Sequence, residues 1–370
     1  MNYIITGNTY NSKFIGDLAK RDDITAMTGE ELLQSHITFS TKDKVYVPSE
    51  TSLSIVMERM EDKKYVEGIN KLKNKYFCRE VLASMYPDFY FAKASLAEIP
   101  SLDFQGKKVV IKPLKGFFGT GVRTAEPNCD LTLLAEEMKQ EVQANAKFFP
   151  ESILTQDEFI IEEFLTGDEY AVDMFFDQAG KPEITNIYFH PEPVIAEYFH
   201  LMYYTNKEIF DNYFETFINF FTELNKIMRL KSFPIHAEFK LQDGIMVPIE
   251  LNPMRYGGFG LSDLTFNSYQ HQPISAYFDN IPADWNAIWE IRKDNNYAWI
   301  LGYNGKDIDI NEKLPDHAKF KDFLTQNSTL IDYVKLDHKT NPVFALAYIY
   351  NHDLDKLKEL LATEFNSFFS

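Results

Sequence analysis

The stretch 236–258, HAEFKLQDGIMVPIELNPMRYGG, limits what this chain can fold into more than any other. Ala237-Glu238-Phe239-Lys240-Leu241 alternates apolar and polar residues, as does Ile249-Glu250-Leu251-Asn252, and Asp243-Gly244 between them is a turn signal. The stretch is therefore predicted to be a β-hairpin. Because side chains alternate between faces, a register that pairs residues of equal parity puts Glu238, Glu250 and Asn252 on one face, and a slip of one residue sends Glu238 to the other. Two carboxylates on one partly buried face repel each other. Either one is protonated, or a basic side chain lies between them, or a hard cation bridges them. The plain alternative is an ordinary hairpin with its polar face in water, which is what alternation usually marks.

The rest of the chain bounds these options. At 370 residues it is long enough for two or three domains. Its 37 basic and 55 acidic residues give a net charge of −18, which argues against nucleic acid or an acidic membrane surface as the main partner. Two cysteines, Cys78 and Cys129, make no disulfide framework and have no zinc-site spacing, so a reducing compartment is expected. The opening run MNYIIT is β-like, without a basic n-region, and no stretch reaches transmembrane length. A cytoplasmic protein is the expectation.

Along the chain, residues 1 to about 70 read as a short α/β unit, with strands at 3–6 and 45–47 and helices at 11–20 and 53–60. Gly7-Asn8 is a turn and not a dinucleotide fingerprint. Residues 71–85 form an amphipathic helix on which Lys75 and Arg79 share a face, ordinarily a solvated one. In GKKVVIKPLKGFFGTGVR, residues 106–123, a buried strand at 109–111 is followed by Lys112 and then by a loop with Gly116, Gly119 and Gly121. Glycine backbones can approach an anion closely, so this loop suits a polyphosphate. It lacks the endings of a P-loop and of a kinase glycine loop, and a simple glycine-containing hairpin fits it as well. The run 128–148 reads as helical with Asp130 as the candidate N-cap, and strands at 159–165 and 169–176 flank the turn Thr166-Gly167-Asp168. Glu162 and Glu163 suit a ligand amine and sugar, or simply the rim of a sheet. Helix 208–228 carries an aromatic stripe that belongs in a core. Strands at 297–302 and 343–350 and a helix at 354–365 form a C-terminal α+β appendage without a catalytic motif.

Taken in order, LKNKYFCREVL, IKPLKGFFGTGVR, IIEEFLTGDEY and EFKL with IELNP resemble the motifs of the ATP-grasp superfamily, of the carboxylate-amine ligase type, over roughly residues 70–265. The fold this implies mixes α+β and α/β: an N-terminal α/β unit over 1–70, an ATP-grasp domain over 71–280 and a C-terminal α+β subdomain over 281–370. Within the ATP-grasp domain the small lobe would span about 90–165 and the large lobe about 166–280. The resemblance implies that Lys75 and Lys112 contact phosphates and that Gly116, Gly119 and Gly121 close over them. Glu162 would accept from the adenine amino group, the Glu163 and Leu165 backbones would meet the ring edge, and Glu169 would hold the ribose. Glu238, Glu250 and Asn252 would be magnesium ligands, with manganese as a substitute; the step of twelve residues from Glu238 to Glu250 and two more to Asn252 is the family's spacing. Arg255 would clamp a substrate carboxylate or acyl phosphate. It stands three residues after Asn252, where the family often places its arginine two after, and His236 stands where some members carry an arginine. A packed core histidine fits that position equally.

The activity implied is ATP-dependent joining of a carboxylate to an amine, amino acids or peptides among them, through an acyl phosphate with release of ADP and phosphate. Dimers are common in the resembled family, which makes a homodimer one option while the sequence leaves the oligomeric state open; neither nucleic acid nor membrane is expected as partner. Within the same fold, a kinase-like phosphotransferase and a nucleotide-binding regulatory protein without turnover are the alternatives. No stretch of the sequence identifies the two substrates.

Overall fold

Three parallel strands open the chain: β1 (Asn2–Thr6) lies between β2 (Ile24–Thr28) and β3 (Lys44–Tyr46). Ile4 and Ile5 of β1 are fully buried on its two faces, as parallel strands covered on both sides require. The sequence reading missed β2 and the helix Gly29–Gln34 after it, although Thr28 and Glu31 form a capping box that marks the helix start. The computed structural model describes residues 1–7, 10–114, 122–145 and 157–370; Gly116, Gly119 and Gly121 lie outside them.

The single helix expected over 71–85 is two, Lys63–Lys73 and Lys75–Leu82, which meet at Asn74. Asn74 takes φ −83° and ψ 116°, outside the helical region, and its side chain accepts from the N–H groups of Tyr76 and Phe77. An asparagine that satisfies two free N–H groups starts a new helix better than it continues an old one. Lys75 is thus the first residue of a helix, with Arg79 one turn further along.

The second sheet is antiparallel, in the order β4 (Phe91–Ala94), β7 (Phe159–Glu163), β5 (Val109–Pro113), β6 (Arg123–Ala125). Alternation sorts its faces. Val109, Ile111, Phe159 and Ile161 are fully buried in a core with Phe104 and Met138, which sends Lys112 and Glu162 to the opposite face. Lys112 lies inside β5, not after it. Asp130 caps the helix Leu131–Asn145 by accepting from the N–H groups of Thr132 and Leu133.

The third sheet has eight strands. Its first members are β8 (Glu169–Phe176), β9 (Pro182–His190), β10 (Met202–Thr205), β11 (Phe233–Gln242) and β12 (Ile245–Pro253). β13 (Asn296–Tyr303), β14 (Thr329–Lys335) and β15 (Val343–Asn351) complete it, in the order β12-β11-β8-β9-β10-β13-β15-β14. The C-terminal strands therefore continue this sheet through the β10–β13 pairing. The closing helix is shorter than expected, Leu354–Lys358, and two 3-10 turns follow it. The helix Lys207–Met228 packs on the sheet through Phe217 and Phe221, both fully buried, whose rings lie 4.9 and 6.1 Å from that of Phe239. Truncating such a ring to alanine costs about 3 to 5 kcal/mol. No described helix is long and apolar enough to cross a membrane.

The predicted hairpin is β11–β12. Asp243 and Gly244 turn it with φ of 51° and 81°, the pair of positive values a tight two-residue turn needs.

Candidate active site

The hairpin has the equal-parity register: Glu238 pairs with Glu250 and His236 with Asn252. All four therefore share one face. The neighbouring strand β8 sets Asp173 beside His236 and Glu169 beside Lys240 on the same face. Each hairpin carboxylate has its own cation. His236 Nε2 lies 3.3 Å from Glu238 Oε1, and Lys75 Nζ lies 3.3 Å from Glu250 Oε1. Burial works against ionisation of Glu250, but Lys75, Lys73 and Arg255 outweigh it and hold its pKa at about 2. The His236 imidazole is likewise buried, which disfavours its charge, yet Asp173 and Glu238 raise its pKa to about 9. Asn252 is 2% exposed and its Nδ2 makes no hydrogen bond of good geometry. Among the described residues no three His, Cys, Asp or Glu side chains converge into a metal cage.

Lys75 and Arg79 do not form a solvated face. Arg79 is 4% exposed and pairs through Nε with Glu162 Oε1, while Lys112 Nζ reaches Glu162 Oε2 at 2.8 Å. The Arg79 guanidinium also lies 4.3 Å from the centre of the Phe89 ring. Burial would raise the pKa of Glu162, but Arg79 and Lys112 bring it down to about 2. The helix Lys75–Leu82 thus bridges two sheets, with Lys75 on Glu250 of β12 and Arg79 on Glu162 of β7.

The oxygens that the sequence reading gave to an adenine amino group are the ones Arg79 and Lys112 occupy. Glu163 pairs with Lys107, and its N–H donates to the carbonyl of Tyr90 at 3.0 Å. Leu165 is half-buried two residues past the end of β7. Glu169, expected at the ribose, has Oε1 at 2.7 Å from His190 Nδ1 and Oε2 at 3.3 Å from Lys240 Nζ. Arg255 follows Met254, a fully buried residue with φ 67°, a conformation uncommon for a long side chain. Its Nε lies 3.2 Å from Glu50 Oε1, and Glu50 also pairs with Lys73. Glu250 and Glu238 act on Arg255 electrostatically as well. Lys75, Lys112, Glu162, Glu250 and Arg255 are thereby linked through shared ion pairs and nearby charge, together with Arg79, Glu50 and Lys73, which the sequence reading did not assign. The signal for Arg79 was its position one turn after Lys75.

Size does not mark this site. A groove of about 730 Å³ runs between the helix His317–Asn327 and the C-terminal turns, lined by Lys319, Asp322 and Phe323 among others. The junction lined by Lys75, Arg79, Glu162 and Glu250 encloses only about 10 Å³. Ionised groups on facing elements single out the smaller one.

Residues 105–263 match the family described as the ATP-grasp domain, a span that holds Lys112, Glu162, Glu238, Glu250, Asn252 and Arg255. No curated protein is detectably similar in sequence. Among solved structures, an L-amino acid ligase from Bacillus licheniformis superposes with a TM-score of 0.71 at 14% identity, covering 100% of this chain and 98% of that one. The N5-carboxyaminoimidazole ribonucleotide synthetase from Thermotoga maritima follows at 0.61 and 10% identity, covering 100% and 98%. A biotin carboxylase from Campylobacter jejuni, solved as a β-γ-ATP complex, superposes at 0.60 and 10% identity, covering 96% and 89%. The matched span, residues 105–263, lies in a chain that shares its fold along its whole length with the L-amino acid ligase.

Proposed function

We propose that the protein is an ATP- and magnesium-dependent ligase that activates a small carboxylate as an acyl phosphate and joins it to an amine, an amino acid or a peptide being the class of substrate. One observation carries the reading: Glu238, Glu250 and Asn252 share a face of the large sheet, while Lys75 and Lys112 reach the same junction from a helix and from the small sheet. The L-amino acid ligase among the structural relatives supports it.

The donor set fits magnesium. Two carboxylates and an amide are hard oxygen ligands, and Asn252 Nδ2, which acts on Glu250 but makes no hydrogen bond of good geometry, belongs to an amide whose N and O are interchangeable by a flip. Glu238, Glu250 and Asn252 would hold the ion, which when bound neutralises phosphate oxygens. The chain's own cations do the remaining positioning. Lys112, steadied by Glu162, presents its ammonium to phosphate, and Lys75, now on Glu250, supplies a second charge. Glu162 acts here as the counter-ion that aims Lys112. Arg255 already holds the carboxylate of Glu50, so its guanidinium is placed to take a substrate carboxylate. No side-chain nucleophile is needed: burial pushes the Cys78 thiol up to about 12, which leaves it inert.

Hydroxylamine trapping tests the reaction type. With ATP, magnesium and an accepted carboxylate, hydroxylamine should yield a hydroxamate in step with ADP. ADP release with a phosphorylated hydroxyl product and no hydroxamate would make the protein a phosphotransferase instead.

A further inference from the structure

Asp173 is a fully buried carboxylate in the middle of β8. A buried charge persists only if it is paired and hydrogen-bonded, and the partners of this one are specific. Its Oδ1 accepts from the backbone N–H of Gly257 at 2.8 Å and lies 2.8 Å from His236 Nδ1, while Oδ2 accepts from the Tyr188 hydroxyl at 2.8 Å. The other nitrogen of His236 is the one 3.3 Å from Glu238 Oε1. A ring held at both nitrogens cannot turn, so Asp173 fixes His236 and His236 faces Glu238 in a single orientation. The same oxygen anchors Gly257, two residues past Arg255, in a loop with little slack: a Cβ on Gly257 would meet Leu261 side-chain atoms at 3.0 Å.

We infer that Asp173 is a positioning residue, which through one oxygen sets the acid Glu238 by way of His236 and sets the Arg255–Leu261 loop by way of the Gly257 amide. The inference rests on the reading of Glu238 as a metal ligand. Partners behind a ligand typically contribute ten- to hundredfold to metal affinity, so Asp173 tunes binding of the metal-nucleotide complex without contributing to binding of the nucleotide alone.

The test is calorimetric titration of the full chain with ATP in the presence of Mn2+ and, separately, in EDTA. Asp173→Asn is expected to weaken binding with Mn2+ by about tenfold, to leave binding in EDTA unchanged and to lose protection of the Gly257 amide against hydrogen exchange. Tyr188→Phe removes the Oδ2 hydrogen bond but neither Oδ1 contact, so it reports the merely structural role and should leave both affinities as they are. Should Asp173→Asn not fold, His236→Gln carries the same affinity comparison, with the Gly257 amide keeping its protection because Asp173 still accepts from it. Equal effects of Asp173→Asn and Tyr188→Phe, or an Asp173→Asn protein that binds Mn2+ and ATP like the parent while Glu238→Gln does not, would overturn the inference alone. If Glu238→Gln itself binds like the parent, the metal reading fails, and this inference with it.

Discussion

Two carboxylate centres face each other across the helix Lys75–Leu82, and they are built differently. At Glu162 both oxygens are taken, by Arg79 and Lys112, and the side chain is almost wholly buried. On the hairpin, Glu238 and Glu250 each have one cation at 3.3 Å, their side chains are 25% and 33% exposed, and Nδ2 of the neighbouring Asn252 makes no hydrogen bond of good geometry. The first centre is a completed ion network. The second has donor capacity to spare, which a cation and phosphate oxygens would take up. On the proposed reading, the unfinished cluster would bind the metal and nucleotide, and the finished one would aim a lysine at it.

That contrast can be broken. The largest effect is expected from Glu250→Gln, which removes a charge from the unfinished centre: ATP turnover should fall on the order of 10³-fold with little change in melting temperature. An enzyme that kept its rate would show that the hairpin acids are ordinary surface residues. Arg79→Met attacks the finished centre instead and leaves Glu162 with half its compensation. Breaking a buried pair costs about 3 to 5 kcal/mol, so urea unfolding should show a loss of that order. A loss under 1 kcal/mol would mean the pairing is incidental.

A buried carboxylate outside both centres extends the contrast to pH. Asp263 is 3% exposed, and burial outweighs Ser12 and Lys13 to push its pKa up to about 7. A raised acid favours the folded state while it is protonated. Its contribution is therefore complete below the unfolded value and is lost as pH rises through 7. Between pH 5 and 9 the parent should lose about 2 to 3 kcal/mol of stability that Asp263→Asn retains, and parallel curves for the two proteins would contradict this. The smallest effect concerns Arg255→Lys. It keeps the charge but not the planar fork, and should raise the KM for the carboxylate substrate by about tenfold while leaving that for ATP unchanged.

Which parts of this were legible in the sequence follows from what each residue's signal depends on. Period-two alternation around Asp243-Gly244 placed Glu238, Glu250 and Asn252 on one face because register and turn are local properties. The strand at 109–111 was legible from its apolar run, but not that it continues through Lys112 to Pro113. Arg79 was visible, but its role was not: an arginine on an amphipathic helix is solvated or buried according to what packs on it, and Glu162 is 83 residues away. Asp173 carried no signal of its own within the strand 169–176, because its partners His236, Gly257 and Tyr188 come from three other segments. The break at Asn74 was missed because the apolar periodicity on either side continues through it. The C-terminal strands read as a separate appendage because strand pairing across a sheet leaves no mark in local composition.

The proposed ligase spends ATP on a carboxylate and passes the activated acyl group to an amine. Its most direct test is an ADP-release screen with ATP and magnesium over amino acids offered singly and in pairs. The account predicts ADP and phosphate released in step with a new amide when a carboxylate and an amine are both accepted, and neither released by Glu250→Gln. Release of AMP and pyrophosphate, or no turnover with any pair, would contradict it.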